Sequence, residues 1–154
     1  MAEIRQVTPP EAKGILDNTP EAVYLDVRTP EEFAAGHPAG AINIPAFLRG
    51  PQGMSANDEF LPVVEKILPK DRPILCGCQA GGRSMKAAQI LAGAGYHDVR
   101  NVEGGFGGAR DGAGRVVVPG WGDSGLPVSS DTRDAVSWEG LRRRAGAQRG
   151  LDRG

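Results

Sequence analysis

Apolar positions along the chain fall into short runs separated by stretches of helical spacing. Ala22-Val23-Tyr24-Leu25-Asp26-Val27 is apolar up to its aspartate and predicts a buried strand. Ala41-Ile42-Asn43-Ile44, stopped by Pro45, predicts a second; Pro73 to Cys76 and Val99-Arg100-Asn101-Val102 predict two more. Between them the period lengthens. Thr8-Pro9-Pro10-Glu11 and Thr29-Pro30-Glu31-Glu32 each set a capping threonine, proline in the first turn and a glutamate three places on. This predicts short helices running to about Leu16 and to near Gly36. Phe60, Leu61, Val64, Ile67 and Leu68 recur at helical spacing behind Asn57, a candidate cap, and Ala87, Ala88, Leu91 and Ala92 mark a helix from Ser84 that ends at Gly93 to Gly95.

The intervening residues 47–56, rich in glycine and polar side chains, are expected as a loop. After Phe106 the pattern weakens. Residues 111–118 suggest a small hairpin, Leu126 to Arg133 an extended polar connection, and Ser137 to Arg144 a terminal helix followed by an unstructured tail from Ala145. Arg142, Arg143 and Arg144 are read as a solvated helix end, with an acidic partner as the alternative. The expected division is a main domain over 1–127 and a loop-rich extension over 128–154. Strands alternating with helices predict an α/β fold: a mostly parallel open sheet of about five short strands with helices on both faces. Ligands bind such sheets beyond the carboxyl ends of the strands. That edge gathers Asp26, Arg28, residues 45–47, the segment after Cys76, and residues 103–106.

One stretch there carries chemistry. Cys78-Gln79-Ala80-Gly81-Gly82-Arg83 lies where a strand hands over to the helix at Ser84, and the unpaired amides of a helix start favour an anion. A thiolate is such an anion. Gly81 and Gly82 free the backbone to turn several N–H groups inward, and Arg83 adds a full charge at the rim. Cys78 is therefore expected to be a nucleophile ionised near neutral pH rather than a packing residue. Cys76, two positions earlier, belongs in the core and is too constrained by the strand to resolve a disulfide with it.

Composition narrows the classes. The chain has 154 residues and a net charge of -1, which fits one compact domain and argues against a dedicated nucleic-acid or membrane-surface binder. Two histidines, His37 and His97, far apart in sequence, write no zinc pattern, so neither metal nor other cofactor is expected. No apolar run of signal-peptide or membrane-spanning length is present, and the expected compartment is the cytoplasm.

Four patterns then match a known family in its order: Leu25-Asp26-Val27-Arg28; Glu31-Glu32-Phe33 with Gly36-His37 and Gly40 to Pro45; Cys78 to Ser84; and Val102-Glu103-Gly104-Gly105. They resemble the rhodanese domain of the sulfurtransferases over roughly residues 5 to 127, most closely the single-domain thiosulfate sulfurtransferases of plants and their bacterial relatives. The resemblance implies a rhodanese-like three-layer α/β/α fold and a two-step transfer. In it, Cys78 takes the outer sulfur of thiosulfate or a related donor as a persulfide, then passes it to cyanide, a small thiol or a thioredoxin-like protein. Cys78 and Arg83 would be catalytic. Gln79, Ala80, Gly81, Gly82 and Ser84 would contact substrate, with Asp26 and Arg28 as further pocket candidates. An Arg28 pairing with Glu31 or Glu32 that fixes the turn is the alternative role for that residue. His37 reads as a structural hydrogen-bonding residue. Two departures stand out: Gly36-His37-Pro38-Ala39-Gly40-Ala41 lacks the isoleucine the family has after the histidine, and the aromatic expected soon after Gly104-Gly105 is missing from Ala109-Arg110, with Trp121 appearing only after an insertion. Arg110 reads as a surface residue, with a contact to the donor's sulfonate as the alternative.

Two rivals follow from the same residues. A cysteine phosphatase also uses an amide loop closed by arginine, but with five residues between them; Cys78 and Arg83 enclose four, and no aspartic general acid is in view. A non-catalytic rhodanese-like binding module is the other.

Overall fold

The computed structural model describes the backbone of residues 4–153 and the side chains of residues 4–146. Elements run in the order β1 (Arg5–Val7), α1 (Pro9–Asn18), β2 (Val23–Asp26), α2 (Pro30–Ala35), β3 (His37–Pro38), β4 (Ile42–Asn43), β5 (Phe47–Gly50), β6 (Gly53–Ala56), α3 (Phe60–Ile67) and β7 (Ile74–Gly77). They continue with α4 (Gly82–Gly93), β8 (Val99–Val102), β9 (Ala109–Arg110), β10 (Val116–Val118), β11 (Val128–Ser129) and α5 (Trp138–Arg153). The central sheet has the order β1-β8-β7-β2-β4, and every neighbouring pair in it is parallel.

Alternation along the strands sorts the core into two layers. Val23, Leu25, Ile74 and Cys76 face one side, where Phe60, Val63 and Val64 of α3, Ala87, Ala88 and Leu91 of α4, and Trp138 and Leu141 of α5 close over them. Tyr24, Leu75 and Val102 face the other, against Ala12 of α1, Phe33 of α2 and Trp121. Both threonine caps form complete boxes, Thr8 with Glu11 and Thr29 with Glu32.

Several expectations change. Residues 47–56 are a β-hairpin, in which Phe47 pairs with Ala56 and Arg49 with Met54; a two-residue turn closed by Gly53 at φ +96° does what a longer loop was expected to do. Asn57 does not cap α3. Its Oδ1 accepts from the Glu59 amide at 3.1 Å, a turn that ends before the helix begins, and Glu59 takes the capping position without its side chain bonding a helix amide. The edge strand β1 carries Arg5 and Gln6 outward and so lacks an apolar run; its pairing with β8 identifies it. The tail expected from Ala145 does not begin there, because Ala145 is fully buried in the main core as part of α5; side chains from residue 147 on lie outside the described residues. The extended segment after Pro127 pairs with a second short strand, β11 on β3. The hairpin expected over 111–118 forms between β9 and β10.

Candidate active site

β7 carries the chain to the carboxyl edge of the sheet at Gly77, where a Cβ would stand 1.9 Å from the Tyr24 hydroxyl. Only glycine lets the strand pass over that ring. Residues 78–81 then turn into α4, and Gly81 makes the turn at φ +122°, a conformation L side chains rarely adopt. Cys78 is 2 % exposed. Its Sγ accepts from the Gly81 amide at 3.1 Å and from the Ser84 hydroxyl at 3.3 Å. The several inward amides expected from the sequence reduce to one amide and one hydroxyl. With Gly82 already in the first turn of α4, the amide at the capping position is the one that turns back to the sulfur.

A second glycine loop braces the first. Phe106 N–H donates to the Cys78 carbonyl at 2.7 Å and Gly107 N–H to the Gln79 carbonyl at 2.9 Å. A Cβ on Gly105, at φ +53°, would fall 2.2 Å from the Cys78 carbonyl oxygen. The loop thus presents Gln79, Ala80 and Gly82 outward, all exposed, and holds Ser84 fully buried beneath them. Ser84 bonds the cysteine sulfur and protein groups rather than solvent, which revises its expected role as a surface substrate contact.

Three other expected site residues also change roles. Arg83 is not a free charge at the rim: its guanidinium grips Glu32 with two bonds of 2.7 and 2.9 Å. Burial alone would push the Glu32 carboxyl up, but hydrogen bonds from Arg83 and Thr29 and the Arg83 charge bring it down to about 2. Arg28 pairs with neither Glu31 nor Glu32. It is 2 % exposed and closes on Asp26, itself 1 % exposed, through Nη2 at 2.7 Å and Nε at 3.0 Å. Its remaining donors reach the Gly36 carbonyl at 2.7 Å and Gln79 Oε1 at 3.2 Å, and Phe106 lies under the guanidinium at 4.6 Å. Removed from solvent, each charge must be met by its neighbour, so Asp26 and Arg28 brace the loop from behind rather than line the pocket.

His37 is structural: its Nδ1–H donates to the Phe33 carbonyl at 2.7 Å and its ring stacks on Phe33. Trp121 is buried against Tyr24, its indole N–H donating to the Pro127 carbonyl at 2.7 Å. Arg110 is exposed and bonds carbonyls of its own turn, Gly114 and Gly107. Burial pushes the Cys76 thiol up, and the neighbouring Cys78 adds to the shift.

One site residue escaped the sequence reading, and a second, Glu32, enters it only as a helix cap and as a partner of Arg28. Asn101 is 3 % exposed; its Oδ1 accepts from Ser84 Oγ at 2.6 Å and its Nδ2 donates to Gln6 Oε1 at 2.8 Å. An asparagine at a buried position of a valine-rich strand was the available signal. Glu32, 51 residues from Arg83, offered none. Among the described residues, no group of three His, Cys, Asp or Glu side chains is placed to hold a metal ion.

A parallel α/β sheet delivers the cysteine loop and a helix start to its carboxyl edge, an arrangement shared with the rhodanese class of fold. The family model described as rhodanese-like domain matches residues 8–110, and the chain belongs to that family. It is 43 % identical over 107 residues to thiosulfate sulfurtransferase 16, chloroplastic, of Arabidopsis thaliana, covering 70 % of this chain and 79 % of the relative. Thiosulfate sulfurtransferase 18 of the same plant is 46 % identical over 106 residues, covering 68 % and 76 %. Among solved structures, that of Rv0390 from M. tuberculosis superimposes with a TM-score of 0.71 at 29 % identity, covering 84 % of this chain and 100 % of that one.

Proposed function

We propose that the protein is a sulfurtransferase that moves the outer sulfur of thiosulfate, or of a related donor, through a persulfide on Cys78. The single observation that carries this reading is the sulfur itself, set at the loop with donors on it and no proton acceptor beside it. Among the described residues its hydrogen-bond donors are an amide and a hydroxyl, and no histidine or carboxylate bonds it. Acyl-transfer cysteines need a base to take the thiol proton and return it to the leaving group. Sulfur transfer needs neither. The Cys78 thiolate attacks the outer sulfur, the S–S bond of thiosulfate breaks, and its electron pair leaves with sulfite; Cys78 keeps a persulfide bearing one negative charge. An acceptor, cyanide or a thiolate from a small molecule or a thioredoxin-like protein, then attacks the terminal sulfur and returns Cys78 to thiolate. The Gly81 amide and the Ser84 hydroxyl suit negative sulfur in both states.

The phosphatase reading loses support from the same geometry, since the Arg83 guanidinium that would clamp a phosphoryl group is already clamped by Glu32. The test is to incubate the protein with thiosulfate, remove excess reagent and weigh it. A gain of one sulfur atom, absent in Cys78→Ser and retained in Cys76→Ser, is expected; an unchanged mass would leave a binding module in place of an enzyme.

A further inference from the structure

Side chains two apart on a strand share a face, and residues paired across an antiparallel ladder share it too. Phe47 and Arg49 on β5 therefore stand on the same side of the hairpin as Met54 and Ala56 on β6. That side looks across at the first turns of α4. Phe47, Arg49 and Met54 form one wall of an open groove of about 610 Å3; Gly82, Arg83 and Lys86, with Glu32, form the other. Phe47 also packs on the main core and so anchors the wall. The groove begins beside the loop that holds Cys78, because Gly82 and Arg83 follow that loop directly at the start of α4.

Its charges do not cancel. Arg83 is spent on Glu32, and the outward loop residues Gln79 and Ala80 carry no charge. Arg49 and Lys86 have no carboxylate partner among the described residues. The Lys86 ammonium stands 5.8 Å from the centre of the Phe47 ring, on the groove side of the helix. Two uncompensated positive charges thus flank the approach to the nucleophile, one on each wall. Clefts lined by one sign of charge concentrate ions of the other and raise their encounter rate.

We propose that this groove is the entry site for a small sulfur-oxyanion dianion of the thiosulfate class, and that Arg49 and Lys86, rather than the arginine that closes the cysteine loop, select for its charge. The proposal rests on the sulfurtransferase reading for the identity of the anion, and on the groove alone for the selection of charge. Both side chains act before chemistry, by raising the local concentration of the donor. Their effect belongs in the second-order rate constant and in KM, with kcat unchanged, and it fades as salt shortens the screening length from ~10 Å at 0.1 M to ~3 Å at 1 M.

The experiment compares the wild type with Arg49→Gln/Lys86→Gln and with the charge-keeping Arg49→Lys/Lys86→Arg. Two readouts are used, one that sets an anionic reagent against a neutral one and one that follows the anionic donor itself. The first is the ratio of alkylation rates at Cys78 by iodoacetate and by the uncharged iodoacetamide, mapped by mass. The second is the rate of persulfide formation from thiosulfate. The neutral double variant is expected to lower both by about three- to tenfold at low salt, to leave the iodoacetamide rate alone, and to lose most of its salt dependence; the charge-keeping variant should match the wild type. An alkylation ratio that does not move overturns the proposal. If the ratio falls as expected while the wild type takes no sulfur from thiosulfate, charge selection by the groove stands and the sulfurtransferase reading fails.

Discussion

Cys76 and Cys78 lie two residues apart, and their surroundings separate them chemically. Cys76 is fully buried among aliphatic side chains, where burial pushes its thiol up and keeps it neutral. Cys78 meets two donors. One of these, the Ser84 hydroxyl, has a single hydrogen and three acceptors within reach: Asn101 Oδ1 at 2.6 Å, the Gly81 carbonyl at 3.1 Å and the cysteine sulfur at 3.3 Å. A sulfur that becomes negative is the acceptor that gains most from that hydrogen. Ser84→Ala removes it and leaves one amide on the sulfur. A hydrogen bond to a charged group contributes about 1.5–3 kcal/mol, so alkylation of Cys78 by iodoacetamide at pH 7 should slow by roughly tenfold or more. An unchanged rate would assign the serine to packing alone.

Between elements, the Arg83–Glu32 pair ties the start of α4 to the first turn of α2, with Glu32 also completing that helix's cap. Folding lowers the Glu32 pKa from the ordinary 4.5 to about 2, so the folded state favours the charged carboxylate. The tie is complete above pH 4.5 and is lost as pH falls through that window toward 2. Urea unfolding of the wild type and of Glu32→Gln should therefore differ by a constant amount from pH 7 down to about 5, and the two should converge as pH approaches 2. A gap as wide at pH 2.5 as at pH 6 would mean that Glu32 acts through its shape and not its charge. The pair stays partly open to water, so its magnitude belongs with the modest contributions of solvent-screened ion pairs.

Across the whole molecule, the C-terminal helix completes the core. Trp138, Leu141 and Ala145 of α5 lie with Phe60, Val63 and Val64 of α3 in the cluster that backs the central sheet. The exposed links, Arg142 to Glu59 and Arg143 to Asp134, add little beside that burial. Leu141 is 1 % exposed, and Leu141→Ala should cost about 2–5 kcal/mol, read as a lower urea midpoint. Val117→Ala, on the outer hairpin at 60 % exposure, should stay within about 0.5 kcal/mol of the wild type. Equal effects at the two positions would mean that α5 does not share the main core.

Local signals were legible without coordinates because the physics behind them is local. Each threonine cap needs only residues three places apart; a strand that alternates or runs apolar declares its burial; the glycines after Cys78 mark the turn from strand into helix within a few residues of chain. The same reach explains the misses. Residues 47–56 form a hairpin through pairing between its two strands, with Phe47 reaching the main core, and Arg5-Gln6-Val7 is a strand only because β8 offers its edge. Which carboxylate each arginine takes depends on the packed chain: 51 residues separate Arg83 from Glu32, while Arg28, sealed from water, takes Asp26 two places away. Composition and spacing alone determined that Cys78 would sit where a strand hands over to a helix at the carboxyl edge of the sheet. Only the packed chain decided which charges surround it, because an ion pair depends on distance in space and on the water excluded from around it, and neither is written along the chain.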